Sequence, residues 1–160
     1  MAMTMSAKEL SLVPARGALG ATMLYHGAQK LRAEGARQSA PMFESLGFKP
    51  GDRWAMLTGL AEVVGGATAI LGIGTRIGAL AVLATQGVAI WKVHAGKGFD
   101  NVAGGYEFNL LLMAAALGLF LSGPGTLSAH EVVERRLEGP AGWLRRARPR
   151  RAVRMTKLLK

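Results

Sequence analysis

Eight polar side chains stand inside or at the ends of long apolar runs: Arg16, His26, Lys30, Glu62, Lys92, His94, Tyr106 and Glu107. An ionisable group in such a run is costly unless it is paired, and it marks a candidate functional site. Arg16 and Glu62 carry opposite charges, which predicts a structural ion pair between the first two apolar runs. His26, Glu62 and Glu107 can exchange protons, and Lys30 and Tyr106 can donate hydrogen bonds. Together they have the makings of an acid–base site for an apolar ligand. Simpler roles stand beside this one. Lys30, Lys92 and Tyr106 also suit interfacial anchors, with snorkelling stems and a ring at the headgroups. His26 also suits a hydrogen bond to a neighbouring helix.

The elements that must position these groups are read from where charge is missing. Phe108 to His130 contains no Asp, Glu, Lys or Arg, and neither does Ile77 to Trp91. Trp54 to Thr75 contains only Glu62, and Leu10 to Gln29 only Arg16. A hydrocarbon core about 30 Å thick takes about 20 helical residues. We therefore expect an all-α integral membrane four-helix bundle with spans at about 10–31, 54–75, 76–94 and 106–123. A soluble bundle would show polar faces at the helical period, and Phe108 to Leu121 offers none. The expected division is a transmembrane domain over 1–130 and a basic amphipathic cytoplasmic tail over 131–160.

Depth follows from about 1.5 Å per residue. Arg16 stands about 9 Å and His26 about 24 Å from Leu10, and Glu62 about 12 Å from Trp54 at the opposite end. His26, Lys30, Lys92, His94, Tyr106 and Glu107 converge on that opposite end. Gln86 falls near mid-membrane.

Composition narrows the chemistry. The chain has no Cys, so thiolate metal sites and iron–sulfur clusters are excluded. Haem would need two axial His at one level, and His94 stands at the very end of its run. His130 and Glu134 lack a third ligand for zinc, so no metal is expected. Gly72-Ile-Gly74 follows no strand and is not a dinucleotide fingerprint.

Charge gives direction. The net charge is +10. The last 32 residues hold ten basic and three acidic residues, hence +7 of that total. The side carrying both termini has 12 basic residues (Lys8, Arg76 and the tail) against 7 on the other. The positive-inside rule then puts both termini in the cytoplasm. The tail (Arg145, Arg146, Arg148, Arg150, Arg151, Arg154, Lys157, Lys160) suits anionic lipid headgroups better than nucleic acid. A partner subunit is its other use.

The ordered features also resemble a family. They are Arg16-Gly-Ala-Leu-Gly20, His26-Gly-Ala-Gln-Lys30, Leu46-Gly-Phe-Lys-Pro50, Gly59-Leu-Ala-Glu62-Val-Val-Gly-Gly66, Leu71-Gly-Ile-Gly-Thr-Arg76, Gly105-Tyr-Glu107-Phe-Asn109 and Ser122-Gly-Pro-Gly-Thr-Leu-Ser128. Over about 13–129 the chain resembles the DoxX family of four-helix bacterial inner-membrane proteins. The resemblance implies a membrane bundle associated with oxidoreductase complexes and quinone-linked sulfur chemistry. With it, the convergent polar groups read as a quinone-type pocket of His26, Lys30, Glu62, Tyr106 and Glu107, walled by Met23, Leu110 and Leu111. No covalently bound cofactor is expected. The expected function is a membrane subunit of a quinone-linked oxidoreductase system, working with other membrane subunits. The alternative is a non-catalytic accessory or scaffold subunit of a larger, respiratory-type complex.

Overall fold

A computed structural model describes residues 7–138. The basic tail beyond 138 lies outside the described residues. Six α-helices follow one another: α1 (Ala7–Leu31), α2 (Ala33–Ser45), α3 (Gly51–Leu71), α4 (Thr75–Ala89), α5 (Glu107–Ser122) and α6 (Ala129–Glu138). No strand occurs among the described residues, so the fold is all-α. The four apolar runs fall within α1, α3, α4 and α5 with its flanks. α4 continues through one π turn, Ile90–His94, and a short 3-10 segment, Ala95–Lys97. Gly51–Leu71 and Thr75–Lys97 are long and apolar enough to cross a membrane, and α5 is a shorter apolar helix.

One helix was not expected. The stretch between the first two apolar runs is not a loop; most of it is α2. Its alanines favour helix, and a Gln38-to-Glu34 hydrogen bond of 3.0 Å links positions four apart. Gly47, at φ +91°, ends the segment where a Cβ would be strained. The carboxylate of Glu44 then accepts a hydrogen bond from Gly51 N at 3.1 Å, tying α2 to the start of α3.

α1 and α3 pack backbone to backbone. A Cβ on Gly27 would meet Gly59 O at 2.6 Å, and one on Gly66 would meet Gly20 O at 2.7 Å. The antiparallel register is therefore Gly20 opposite Gly66 and Gly27 opposite Gly59. Small residues bring helices this close without help from water. Gly65 and Gly78 do the same between α3 and α4. Gly118 has nothing within 4 Å of its Cβ position, so it packs against no described helix. The core is Leu19, Met23, Ala69, Ala79, Val82, Leu112, Ala116 and Leu119. Many large apolar side chains lie outside it: Ile77 is 72% exposed, Trp91 71% and Leu121 70%. Apolar outer faces of this extent suit lipid rather than water.

α3 reverses into α4 through Gly72-Ile-Gly74, with φ of +68° and +62° at the two glycines. Arg16 sits on this turn. Its Nε donates to Ala69 O at 2.8 Å and its Nη2 to Ile70 O at 2.6 Å. Its Nη1 donates to Pro124 O at 3.0 Å and Leu127 O at 2.7 Å. The expected Arg16–Glu62 ion pair is thus overturned. The last carbonyls of a helix lack intrahelical donors and carry the negative end of its dipole. Together with Pro124 O and Leu127 O they accept four hydrogen bonds from the fork-shaped cation, more than the two oxygens of one carboxylate would take face-on. Just beyond, Ser128 Oγ accepts from Glu131 N at 3.2 Å and caps α6.

Candidate functional site

At the end of the bundle opposite Arg16 lies a cavity of about 510 Å³. α1 supplies Met23, His26 and Lys30; α3 supplies Trp54, Leu57, Thr58, Ala61 and Glu62. α2 and the segment after it cover one side with Met42, Phe43, Leu46 and Phe48. α4 and its π turn contribute Thr85, Gln86, Lys92, Val93 and His94, and α5 contributes Phe108, Asn109 and Leu112. The volume is in the ordinary range for a small-molecule site, and the walls are mostly apolar with a few polar groups, as such sites usually are.

Three of the five expected pocket residues meet here. Lys30 Nζ lies 3.0 Å from Glu62 Oε1 and 2.7 Å from Oε2. Glu62 is buried, with a side chain 6% exposed, and Lys30 keeps 21%. The register explains the pairing. Glu62 is three residues past Gly59, so it lies level with residue 24 of α1. A lysine at position 30 reaches back over that distance with its long stem, whereas Arg16 points to the other end. His26 borders the same cavity. Its ring stands edge-on to Tyr25 at 5.4 Å and to Phe108 at 6.5 Å. Neither ring nitrogen has a hydrogen-bond partner among the described residues, so His26 can take or give a proton.

The other two do not join them. Tyr106 and Glu107 are absent from the cavity wall. Tyr106 packs its ring against Phe99 at 5.7 Å. Glu107 Oε2 accepts from Asn101 N at 3.3 Å and holds the loop before α5. Both stand at the first turn of α5, where a rotation of about 100° per residue moves neighbours to different faces. Phe108 and Asn109 take the inner positions instead. Leu110 and Leu111 are exposed at 47% and 63%, so they face outward and do not wall the cavity. Lys92 stacks over the Trp91 ring at 4.1 Å while still bordering the cavity. His94 Nδ1 lies 2.7 Å from Gly104 O, so that nitrogen carries the proton and donates it to the loop carbonyl.

Sequence reasoning missed the amide pair. Asn109 Nδ2 donates to Gln86 Oε1 at 2.8 Å, and both side chains are buried. The available signal was one amide in each of two consecutive apolar helices. No group of three or more metal-ligating side chains occurs among the described residues.

The DoxX family model matches residues 11–95, from α1 through the π turn. That is over half of the chain, and it holds every cavity residue except those of α5 and the loop before it. No characterised protein and no solved structure matched the chain. The glycine-packed α1–α3 pair, the two apolar helices and this match together make the chain a member of the DoxX family, a family of helical membrane proteins.

Proposed function

We propose that the protein is a membrane subunit of a quinone-linked oxidoreductase system, with its quinone-type pocket in the cavity above Met23. The observation that carries the reading is the unpartnered His26 ring beside the Lys30–Glu62 pair in a largely apolar cavity of about 510 Å³. A bound quinone would supply a two-electron, two-proton couple. The donor set suits such a group. Lys30 offers a cationic N–H, His26 a titratable nitrogen, and Met23, Leu57 and Leu112 an apolar seat that excludes water. His26 holds or accepts a proton at a ring nitrogen, and Glu62 orients Lys30. Tyr106 and Glu107 fall outside this site; in this reading they order the loop before α5.

The same reading puts α1, α3, α4 and α5 across a bacterial inner membrane, with both termini cytoplasmic and the cavity toward the outer leaflet. The basic tail then meets anionic lipid headgroups or a neighbouring subunit. A second reading, a non-catalytic scaffold subunit, is favoured by one observation. Both oxygens of Glu62 are already satisfied by Lys30.

Extraction from the native membrane in mild detergent separates the two. A quinone-linked subunit should carry quinone through purification, and His26→Ala should release it while the partner subunits stay bound. Partner retention with no quinone in the wild-type complex would favour the scaffold and reject the proposal.

A further inference from the structure

The amide pair of Gln86 and Asn109 has no task in the reading above. Both side chains border the cavity, and they are 6% and 8% exposed. Asn109 spends an N–H on Gln86 Oε1. That fixes the orientation of the Gln86 amide, whose Nε2 finds only Met23 Sδ, at 3.9 Å. A thioether sulfur is a weak acceptor. A strong donor held in an apolar cavity against a weak acceptor is under-satisfied, and such a group is costly unless something better arrives.

Its level in the bundle matters as much as its chemistry. Gly20 opposite Gly66 and Gly27 opposite Gly59 put Glu62 level with residue 24 of α1. Met23 is the neighbour of that residue and touches Gln86. The ion pair on α1 and α3 and the amide pair on α4 and α5 therefore lie at one depth on two walls of one cavity. Between them the lining is apolar: Met23, Ala61, Ala84 and Leu112.

We propose that Gln86, held by Asn109, is the second recognition pole of this cavity. Its Nε2 donates to one oxygen of a planar ring dione whose other oxygen faces Lys30 and His26. The proposal rests on the quinone reading and deepens it by assigning a residue to each end of the ring. It also gives the site a basis for selection. A site that hydrogen-bonds an oxygen discriminates strongly against a ligand of the same shape without one. Lipid chains, which are abundant around the protein, lack any such oxygen, and they would leave the Gln86 donor on sulfur.

The test uses the full chain in lipid nanodiscs with decyl-1,4-benzoquinone, singly labelled with carbon-13 at either carbonyl. Infrared difference spectra report each carbonyl separately. In the wild type both stretches should shift down from their position in lipid alone. Gln86→Met keeps the side-chain volume, and it should return one stretch, and only one, to the lipid position. It should also weaken binding about tenfold, the worth of one hydrogen bond to a ligand oxygen. A single shifted carbonyl in the wild type, unchanged by Gln86→Met, would overturn the second pole and leave the quinone reading standing. No saturable binding to the wild type would overturn both. Should Gln86→Met fail to fold, the wild-type spectrum still decides between one shifted carbonyl and two.

Discussion

Replacing Arg16 by leucine removes four hydrogen bonds at once. The bond to Ala69 O is buried, and those to Ile70 O, Pro124 O and Leu127 O are part-buried. A buried acceptor left without a donor costs about 1–3 kcal/mol, and a part-buried one sits at the low end because water reaches it. One carbonyl at about 2 kcal/mol and three at about 0.5–1 kcal/mol place the loss near 4 kcal/mol. Part of that returns because the guanidinium no longer needs to be desolvated, so about 3 kcal/mol is expected. Reversible unfolding in mixed micelles, followed by far-UV circular dichroism, measures it. Arg16→Lys should recover less than half, because one ammonium lacks the planar fork that spans the α3 end and the 124–127 segment. The decisive comparison is with Glu62→Leu. The two side chains serve opposite ends of the bundle, so the losses in Arg16→Leu and Glu62→Leu should add to within about 0.5 kcal/mol in the double variant. A coupling above about 1 kcal/mol would mean that they interact, and the assignment of Arg16 to the carbonyls would be wrong.

Lys30→Met strands the buried Glu62 carboxylate and should cost about 3 kcal/mol, with most of the loss restored by adding Glu62→Leu; simple additivity would refute the pair. Gly66→Ala drives a Cβ into Gly20 O and should cost about 1–3 kcal/mol, whereas Gly118→Ala meets open space and should change stability by under about 0.5 kcal/mol in the same unfolding assay. His26→Ala should abolish quinone-dependent turnover in native membranes while the melting temperature stays put; full turnover in the variant would remove His26 from the chemistry. A reporter active only in the periplasm, fused after Lys160, should be silent, and activity there would reverse the orientation.

The apolar runs were legible because charge is absent from them, and a helix in lipid leaves that signature over its whole length. Depth was legible too, but it did not choose the partner. Level with residue 24 of α1, Glu62 lies about 9 Å from the level of Lys30 and about 12 Å from that of Arg16 at 1.5 Å per residue. Charge complementarity admitted both cations, and the wrong one was expected. What depth alone leaves open is the face of the helix. Tyr106 and Glu107 share a level with the cavity, yet Phe108 and Asn109 look into it, and neighbouring residues on a helix are separated by rotation and not by height. α2 was hidden for a different reason. Its polar residues break the hydropathy signal, while its alanines and the Glu34–Gln38 pair still favour helix.

The Arg16 contacts also bear on how the chain is made. Arg16 enters the translocation machinery early, in the first hydrophobic segment, when none of its acceptors has been synthesised. Leu127 O lies 111 residues later. At about 5–20 residues per second, the guanidinium waits roughly 6–20 s for its last ligand. Until then the first segment carries an uncompensated cation, which disfavours its stable residence in lipid alone. Insertion of that segment is therefore provisional until α3 delivers Ala69 and Ile70, and it is secured only when the segment after α5 arrives. A nascent chain halted before Pro124 would satisfy Arg16 with two hydrogen bonds instead of four, and it is the form a membrane protease should find first.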